Sequence, residues 1–260
     1  MTAPAAVSRG GGAAGRPHAL WRYAGLLLLL IAAASAVGFA IGEPIDQLTR
    51  RGEPFRSTDN AIPTWLHDRT CDGAAWLVAL GVSELGRPIF LYLLAGIGMI
   101  VSWRRGEKIN IAYFAITGLA GGVVDTIIKV GVGRPRPGLG GCHVGLEGKS
   151  FPSGHTMSST IAYGMLLVVF LRLVRSASRR RAIVATVVVI LLAIGIARMA
   201  VGAHYATDIT LGYLFGATWL ALGTWAFRRW RVDAGDPETA GRLRLQPATP
   251  PARSDPARRA

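Results

Sequence analysis

Long apolar stretches separated by short polar ones dominate this 260-residue chain. Uninterrupted apolar blocks of about 18 residues or more are typical of transmembrane helices. Because the segments between the blocks are short, we predict an all-α fold, a six-transmembrane-helix bundle over residues 21–230, with no separate soluble domain. The six blocks lie at about 21–42, 86–103 (extended backwards by a weaker stretch at 74–82), 110–130, 152–174, 181–203 and 207–227.

The basic residues predict how this bundle is oriented. The formal net charge is +14, and Lys and Arg cluster before the first block and after the second, fourth and sixth. With six spans, all four clusters lie on one side, which the positive-inside rule makes cytoplasmic. We therefore expect a multi-pass protein of the cell (plasma) membrane. A nucleic-acid partner is not expected, since no aromatic residues are interleaved with the charge.

The two ends of the chain differ in composition from the bundle. Residues 1–20 and 231–260 are rich in Pro, Ala and Arg without periodicity, which predicts disordered cytoplasmic termini. The first apolar block follows several Arg residues, as a cleaved signal peptide also would. Its apolar run is longer than a usual signal core, which favours a retained span.

Two cysteines, Cys71 and Cys142, follow the first and third blocks. Both segments are extracytoplasmic in the predicted topology, where disulfides persist. We therefore predict a Cys71–Cys142 bridge, with two unrelated thiols as the alternative.

Ionisable residues collect at the predicted extracytoplasmic ends of the spans. Such groups are costly at a membrane edge and are functional candidates by default. Three segments supply them, and their residues are Lys129, Arg134 and Arg136; Ser153 and His155; and Arg198, His204 and Asp208.

This set suits a phosphate group. Arg and Lys bind phosphate oxygens, and the helix start at Ser153 and Gly154 offers backbone N–H groups to an anion, with Pro152 suited to the first helical position. One histidine could attack phosphorus while the other protonates the leaving oxygen, and Asp208 could orient His204 four residues before it. Asp125 is expected only to neutralise Lys129. Each segment alone is also explained as a basic turn or a helix cap, but their occurrence on one face favours a single site.

The three segments resemble the motifs of the type 2 phosphatidic acid phosphatase superfamily, which includes membrane lipid phosphate phosphatases and vanadium haloperoxidases. Lys129, Arg136 and Pro137 match Lys-x6-Arg-Pro, and residues 152–155 match Pro-Ser-Gly-His. Arg198, His204 and Asp208 match Ser-Arg-x5-His-x3-Asp, although Ala197 replaces its serine.

The resemblance implies a role for each matching residue. His204 is the expected nucleophile that forms a phosphohistidine, Asp208 orients it, and His155 is the general acid. The phosphate cradle is expected to consist of Lys129, Arg136, Ser153, Gly154 and Arg198. The family works without metal, so no metal or other cofactor is expected.

We therefore expect an integral membrane phosphatase with its active site at the extracytoplasmic membrane face and both termini in the cytoplasm. Its substrate would be a membrane lipid, either a phosphate monoester such as phosphatidic acid or a polyprenyl diphosphate such as undecaprenyl diphosphate. The alternatives are a non-catalytic protein that binds or transports an anion or lipid, and a haloperoxidase-like enzyme. The sequence leaves the exact lipid and the oligomeric state open.

Overall fold

The computed structural model describes residues 17–139 and 148–233. Within these two ranges the chain forms α-helices and a short 3-10 turn at Leu171–Leu173, and no strand occurs, so the predicted all-α class is confirmed. The helices are α1 (Pro17–Arg51), α2 (Phe55–Thr70), α3 (Gly73–Glu84), α4 (Pro88–Arg104), α5 (Lys108–Val132), α6 (Gly154–Phe170), α7 (Ala177–Ala200) and α8 (Ala206–Asp233).

All six predicted blocks are helical, but they are not equally suited to crossing a membrane. In the described part of the chain, α1, α5, α6 with its 3-10 turn, and α7 are each long and apolar enough. Helices α3 and α4 meet the same criterion only together and are bent by 44°. Helix α8 is 28 residues long, but its Gly, Thr, Tyr and Trp residues make it less apolar. Four or five crossings are therefore supported, and the sixth stays a prediction.

Large apolar side chains cover the outside of the bundle. Val130 of α5 is 74% exposed and Leu77 of α3 is 68% exposed, and α1, α4 and α7 carry similar residues. A water-soluble domain rarely exposes so much contiguous apolar surface. These side chains fit contact with lipid tails, as expected for a multi-pass membrane protein.

Helix α6 lies at the centre and packs against α8 through small residues. A Cβ atom added to Gly216 would lie 2.7 Å from the carbonyl oxygen of Met157, and one added to Gly212 would lie 2.9 Å from that of Ser153. The two helices therefore approach to backbone contact, as small-xxx-small spacing permits in membranes. We call this contact between Gly212, Gly216 and the first turns of α6 the α6–α8 seam.

Helix α2 was not predicted, because its sequence is too polar to stand out as a span. It packs against α1, α3, α7 and α8 and buries Asp59 and His67. His67 Nδ1 lies 2.9 Å from the carbonyl oxygen of Ala200, which joins α2 to the end of α7.

Some predictions fall partly or wholly outside the described residues. Cys142 is outside them and no free cysteine lies within them, so the Cys71–Cys142 disulfide stays a prediction. The predicted disordered termini lie mostly outside too, but α1 begins at Pro17 and α8 extends to Asp233.

Candidate functional site

The predicted site residues lie on helix ends that the fold brings together. Lys129 is in the last turn of α5, His155 is in the first turn of α6, and Arg198 is in the last turn of α7. His204 precedes α8. A backbone hydrogen bond of 3.1 Å from the Ser153 N–H to the Asp208 carbonyl oxygen joins the second and third motifs directly.

The start of α6 has no side-chain cap among the described residues. Ser153 is the N-cap residue and is fully buried, and no described residue hydrogen-bonds its Oγ. The first helical bond runs from the Met157 N–H to the Ser153 carbonyl oxygen, so the three preceding N–H groups have no intrahelical acceptor. Such groups bind phosphate well. Pro152 does not occupy the first helical position as predicted, because the helix begins two residues later.

Lys129 lies beside this helix start. A Cβ atom added to Gly154 would lie 3.0 Å from Lys129 Nζ and 3.0 Å from Asp125 Oδ2. Lys129 Nζ donates to Asp125 Oδ2 at 3.1 Å, so the predicted neutralising pair is present. The missing side chain at Gly154 thus leaves the backbone of this helix start open beside the ammonium group.

Two arginines extend the positive surface. The Arg136 guanidinium donates to the Ala203 carbonyl oxygen at 2.8 Å, and burial lowers its pKa while the negative charge of Asp208 opposes that effect. Arg198 donates to Ser83 Oγ at 2.9 Å, and no described residue accepts from its Nε. Both guanidinium groups and Lys129 are close enough to act electrostatically on His155. The cations of the first and third motifs therefore converge on the histidine of the second.

His204 is buried in the turn between α7 and α8, and its Nδ1 lies 3.5 Å from Asp208 Oδ2. That distance is at the outer limit of a hydrogen bond, so the groups are close but not tightly bonded. Burial lowers the pKa of His204 to about 4, although Asp208 opposes this. The ring is therefore neutral at pH 7. A proton on Nδ1, towards Asp208, would leave the Nε2 lone pair available for attack.

His155 is half-buried and lies against the bend between α3 and α4. A Cβ atom added to Gly86 would lie 3.3 Å from His155 Cβ and Cδ2. The bend therefore packs directly on this histidine, and a side chain at position 86 would press on it and, more closely, on Ile194 at 2.8 Å.

Arg134 was grouped with the cations expected to suit a phosphate, but its environment is different. It is completely buried and pairs with Asp59 and Asp208, each at 2.6 Å. Its guanidinium also stacks on the Tyr205 ring, 4.0 Å from the centroid. Of the two arginines in the Arg-Pro-Arg-Pro sequence, Arg136 lies near His155 with the other cations, whereas Arg134 pairs with Oδ1 of Asp208.

Sequence reasoning missed three residues that hold the site: Ser83, Asp59 and Thr49. Ser83 accepts from Arg198, while Asp59 and the Thr49 hydroxyl accept from Arg134. Each lies in a helix outside the three motifs. No spacing rule links them to their partners, although Asp59, an acidic residue that becomes buried near the start of α2, was a detectable signal.

The fold and this site define a multi-pass helical membrane protein with a cluster of cationic side chains and two histidines at one end of its bundle. The chain matches the family described as the PAP2 superfamily over residues 110–232, in agreement with the resemblance of its three motifs. It is 27% identical to phosphatidylglycerophosphatase B of Bacillus subtilis (strain 168) over 145 residues, which cover 54% of this chain and 70% of the relative.

A solved structure has the same fold. It is described as the crystal structure of the first transmembrane PAP2 type phosphatidylglycerolphosphate phosphatase, from Bacillus subtilis. The TM-score is 0.60 at 21% identity, with 75% of this chain and 96% of that chain covered. At this identity the likeness establishes the fold alone.

Proposed function

We propose that this protein is an integral membrane phosphatase that hydrolyses a lipid phosphate monoester or diphosphate through a phosphohistidine intermediate, without metal. The observation that carries the proposal is the convergence of His204, His155 and three cations beside the open start of α6. A protein that only binds an anion needs the cations. It does not need a buried neutral histidine that is backed by a carboxylate.

In the first step His204 Nε2 attacks phosphorus in line with the leaving oxygen. The N–P bond forms while the P–O bond to the lipid breaks, and its electron pair goes to the leaving oxygen. His155 donates a proton to that oxygen. The backbone N–H groups at Gly154 and the side chains of Lys129 and Arg198 stabilise the equatorial oxygens.

In the second step water attacks the phosphohistidine. His155, now neutral, accepts a proton from the water, the P–N bond breaks, and His204 recovers its lone pair. Inorganic phosphate then leaves the cradle. Asp208 stabilises the positive charge that the ring carries while it is phosphorylated, which is why it lies at Nδ1.

The substrate is expected to be a membrane lipid that carries its phosphate to the helix ends. The relatives named as phosphatidylglycerophosphatases support a glycerophospholipid. A polyprenyl diphosphate remains the second candidate, because the proposed cradle contacts phosphate oxygens and could accept either head group. On the topology predicted from charge, the site faces the extracytoplasmic side.

The test is phosphate release by the purified, detergent-solubilised protein in excess EDTA. Phosphatidylglycerophosphate, phosphatidic acid and a polyprenyl diphosphate are offered in parallel. Release from at least one lipid, abolished in His204→Ala, is the expected result, and the ratio of rates identifies the substrate class. Release that requires an added metal ion would contradict the metal-independent mechanism.

A second measurement separates catalysis from binding. The protein reacts with a substrate that carries a labelled phosphate, and the reaction is then quenched. The protein is examined for an acid-labile, base-stable phosphoryl group. We expect this label in the wild type and in His155→Ala, where breakdown of the intermediate is slowed, and none in His204→Ala. Lipid binding without label or release would favour the transport alternative instead.

A further inference from the structure

Arg134 is shared between two buried carboxylates. Its NH2 group lies 2.6 Å from Asp59 Oδ2, and its NH1 group lies 2.6 Å from Asp208 Oδ1. The side chains of Arg134 and Asp208 are completely buried, and that of Asp59 is 2% exposed. Ion pairs this far from water are strongly coupled, because solvent screens them little.

Asp59 also holds the backbone at the start of α8. Its Oδ1 accepts the Thr207 N–H at 2.9 Å, and its Oδ2 accepts the Thr207 hydroxyl at 2.7 Å. Asp59 comes from α2, outside the residues that match the family. A helix that carries no motif residue therefore contributes directly to the environment of Asp208.

We propose that Asp59 is a positioning residue for the His204–Asp208 pair: by sharing Arg134 with Asp208, it leaves one uncompensated negative charge that acts on His204. This inference rests on the proposed function. The three groups Arg134, Asp59 and Asp208 carry a net charge of one negative unit. Without Asp59, Arg134 would neutralise Asp208.

The remaining charged neighbours of His204 make this negative charge important. Arg136 from the segment after α5, Arg198 from α7 and His155 from α6 are all basic. The two arginines oppose the positive charge that develops on His204 when it is phosphorylated, whereas His155 is neutral once it has given up its proton. The negative charge of Asp208 offsets the two arginines only if Arg134 does not neutralise it. Asp59 limits that neutralisation because it also pairs with Arg134.

The test compares four forms of the protein by the net charge of Arg134, Asp59 and Asp208. This charge is one negative unit in the wild type, zero in Asp59→Asn, two negative units in Arg134→Gln and again one negative unit in the double variant. For Asp59→Asn we expect kcat to fall about tenfold, equivalent to one pKa unit of lost stabilisation, with KM little changed. Asp59→Glu should recover most of the loss. Asp68→Asn makes the same charge change on the exposed side of α2 and should leave kcat unchanged.

The pH profile separates a charge effect from a merely structural one. The acid limb of kcat should move down by about one pH unit in Asp59→Asn, move up in Arg134→Gln, and return to the wild-type position in the double variant. The double variant should also exceed Asp59→Asn in kcat. If Asp59→Asn does not fold, the acid limbs of Arg134→Gln and the double variant are compared instead, and their difference still tests the inference.

Losses that add in the double variant, or acid limbs that do not follow the cluster charge, would overturn the inference. The wild type is measured in the same assay, so a failure of the proposed function is recognised separately. In that case the wild type itself releases no phosphate.

Discussion

The substitution Gly154→Ala tests the anion site without removing any charged group. The added methyl group would lie 3.0 Å from both Lys129 Nζ and Asp125 Oδ2, whereas ordinary contacts begin at about 3.5 Å. Each neighbour is the end of a side chain and can move by the required half ångström or so. The fold should therefore tolerate the change, while the space between the backbone and Lys129 is lost.

Activity and stability should respond in opposite directions. Alanine is more favourable than glycine in a helix by up to about 1 kcal/mol, so the unfolding temperature should stay constant or rise. A phosphate oxygen excluded from the Gly154 N–H and Lys129 loses a charge-assisted hydrogen bond of about 1.5–3 kcal/mol. That corresponds to a fall in kcat/KM of about 10- to 150-fold.

Phosphate release and thermal unfolding, measured on the same preparation, check both expectations. Gly122→Ala is the matched control, because Gly122 lies in α5 and an added Cβ atom would meet nothing within 4 Å. It should leave kcat/KM unchanged. A Gly154→Ala protein as active as the wild type would refute the assignment of the α6 start as the phosphate site.

Three further predictions concern Ser83, His204 and the two cysteines. Ser83→Ala removes the acceptor of Arg198 and should lower kcat/KM by about two- to tenfold, the effect of one net hydrogen bond; an unchanged value would show that Ser83 does not support Arg198. Burial lowers the pKa of His204 to about 4, and the attacking ring must be neutral, so activity should be lost only as the pH falls towards 4. An acid limb near the ordinary histidine value of 6.5 in the kcat/KM profile would contradict this. Intact mass spectrometry with and without reductant should show the Cys71–Cys142 disulfide, and two free thiols in the untreated protein would exclude it.

The helices that the sequence predicted well are those whose apolar run is uniform. The blocks at 110–130 and 181–203 correspond closely to α5 and α7. The stretch at 74–103 was expected to form one extended span, but it is divided at Gly86 into two helices bent by 44°. The polar helix α2 was missed because its stability comes from packing on α1, α7 and α8, which hydropathy does not measure.

The motif residues could be predicted because their spacing is fixed within single segments. Their supporting partners could not, since Arg134 reaches Asp59 across 75 positions of the chain and Arg198 reaches Ser83 across 115. Arg134 shows the difference clearly. Its sequence context suggests a phosphate ligand, and only its complete burial between two carboxylates identifies it as a support for Asp208.

The α6–α8 seam should keep the distances between the site residues constant when the bilayer changes. Changes in lipid thickness or lateral pressure are met by helices that tilt and slide, and either motion would spread two histidines carried on independent helices. Gly212 and Gly216 bring the backbones of α6 and α8 into contact. The backbone hydrogen bond from Ser153 to Asp208 joins the starts of the same two helices. The two helices should therefore tilt as one rigid body. His155 and the His204–Asp208 pair would then keep their separation in thin and thick membranes alike.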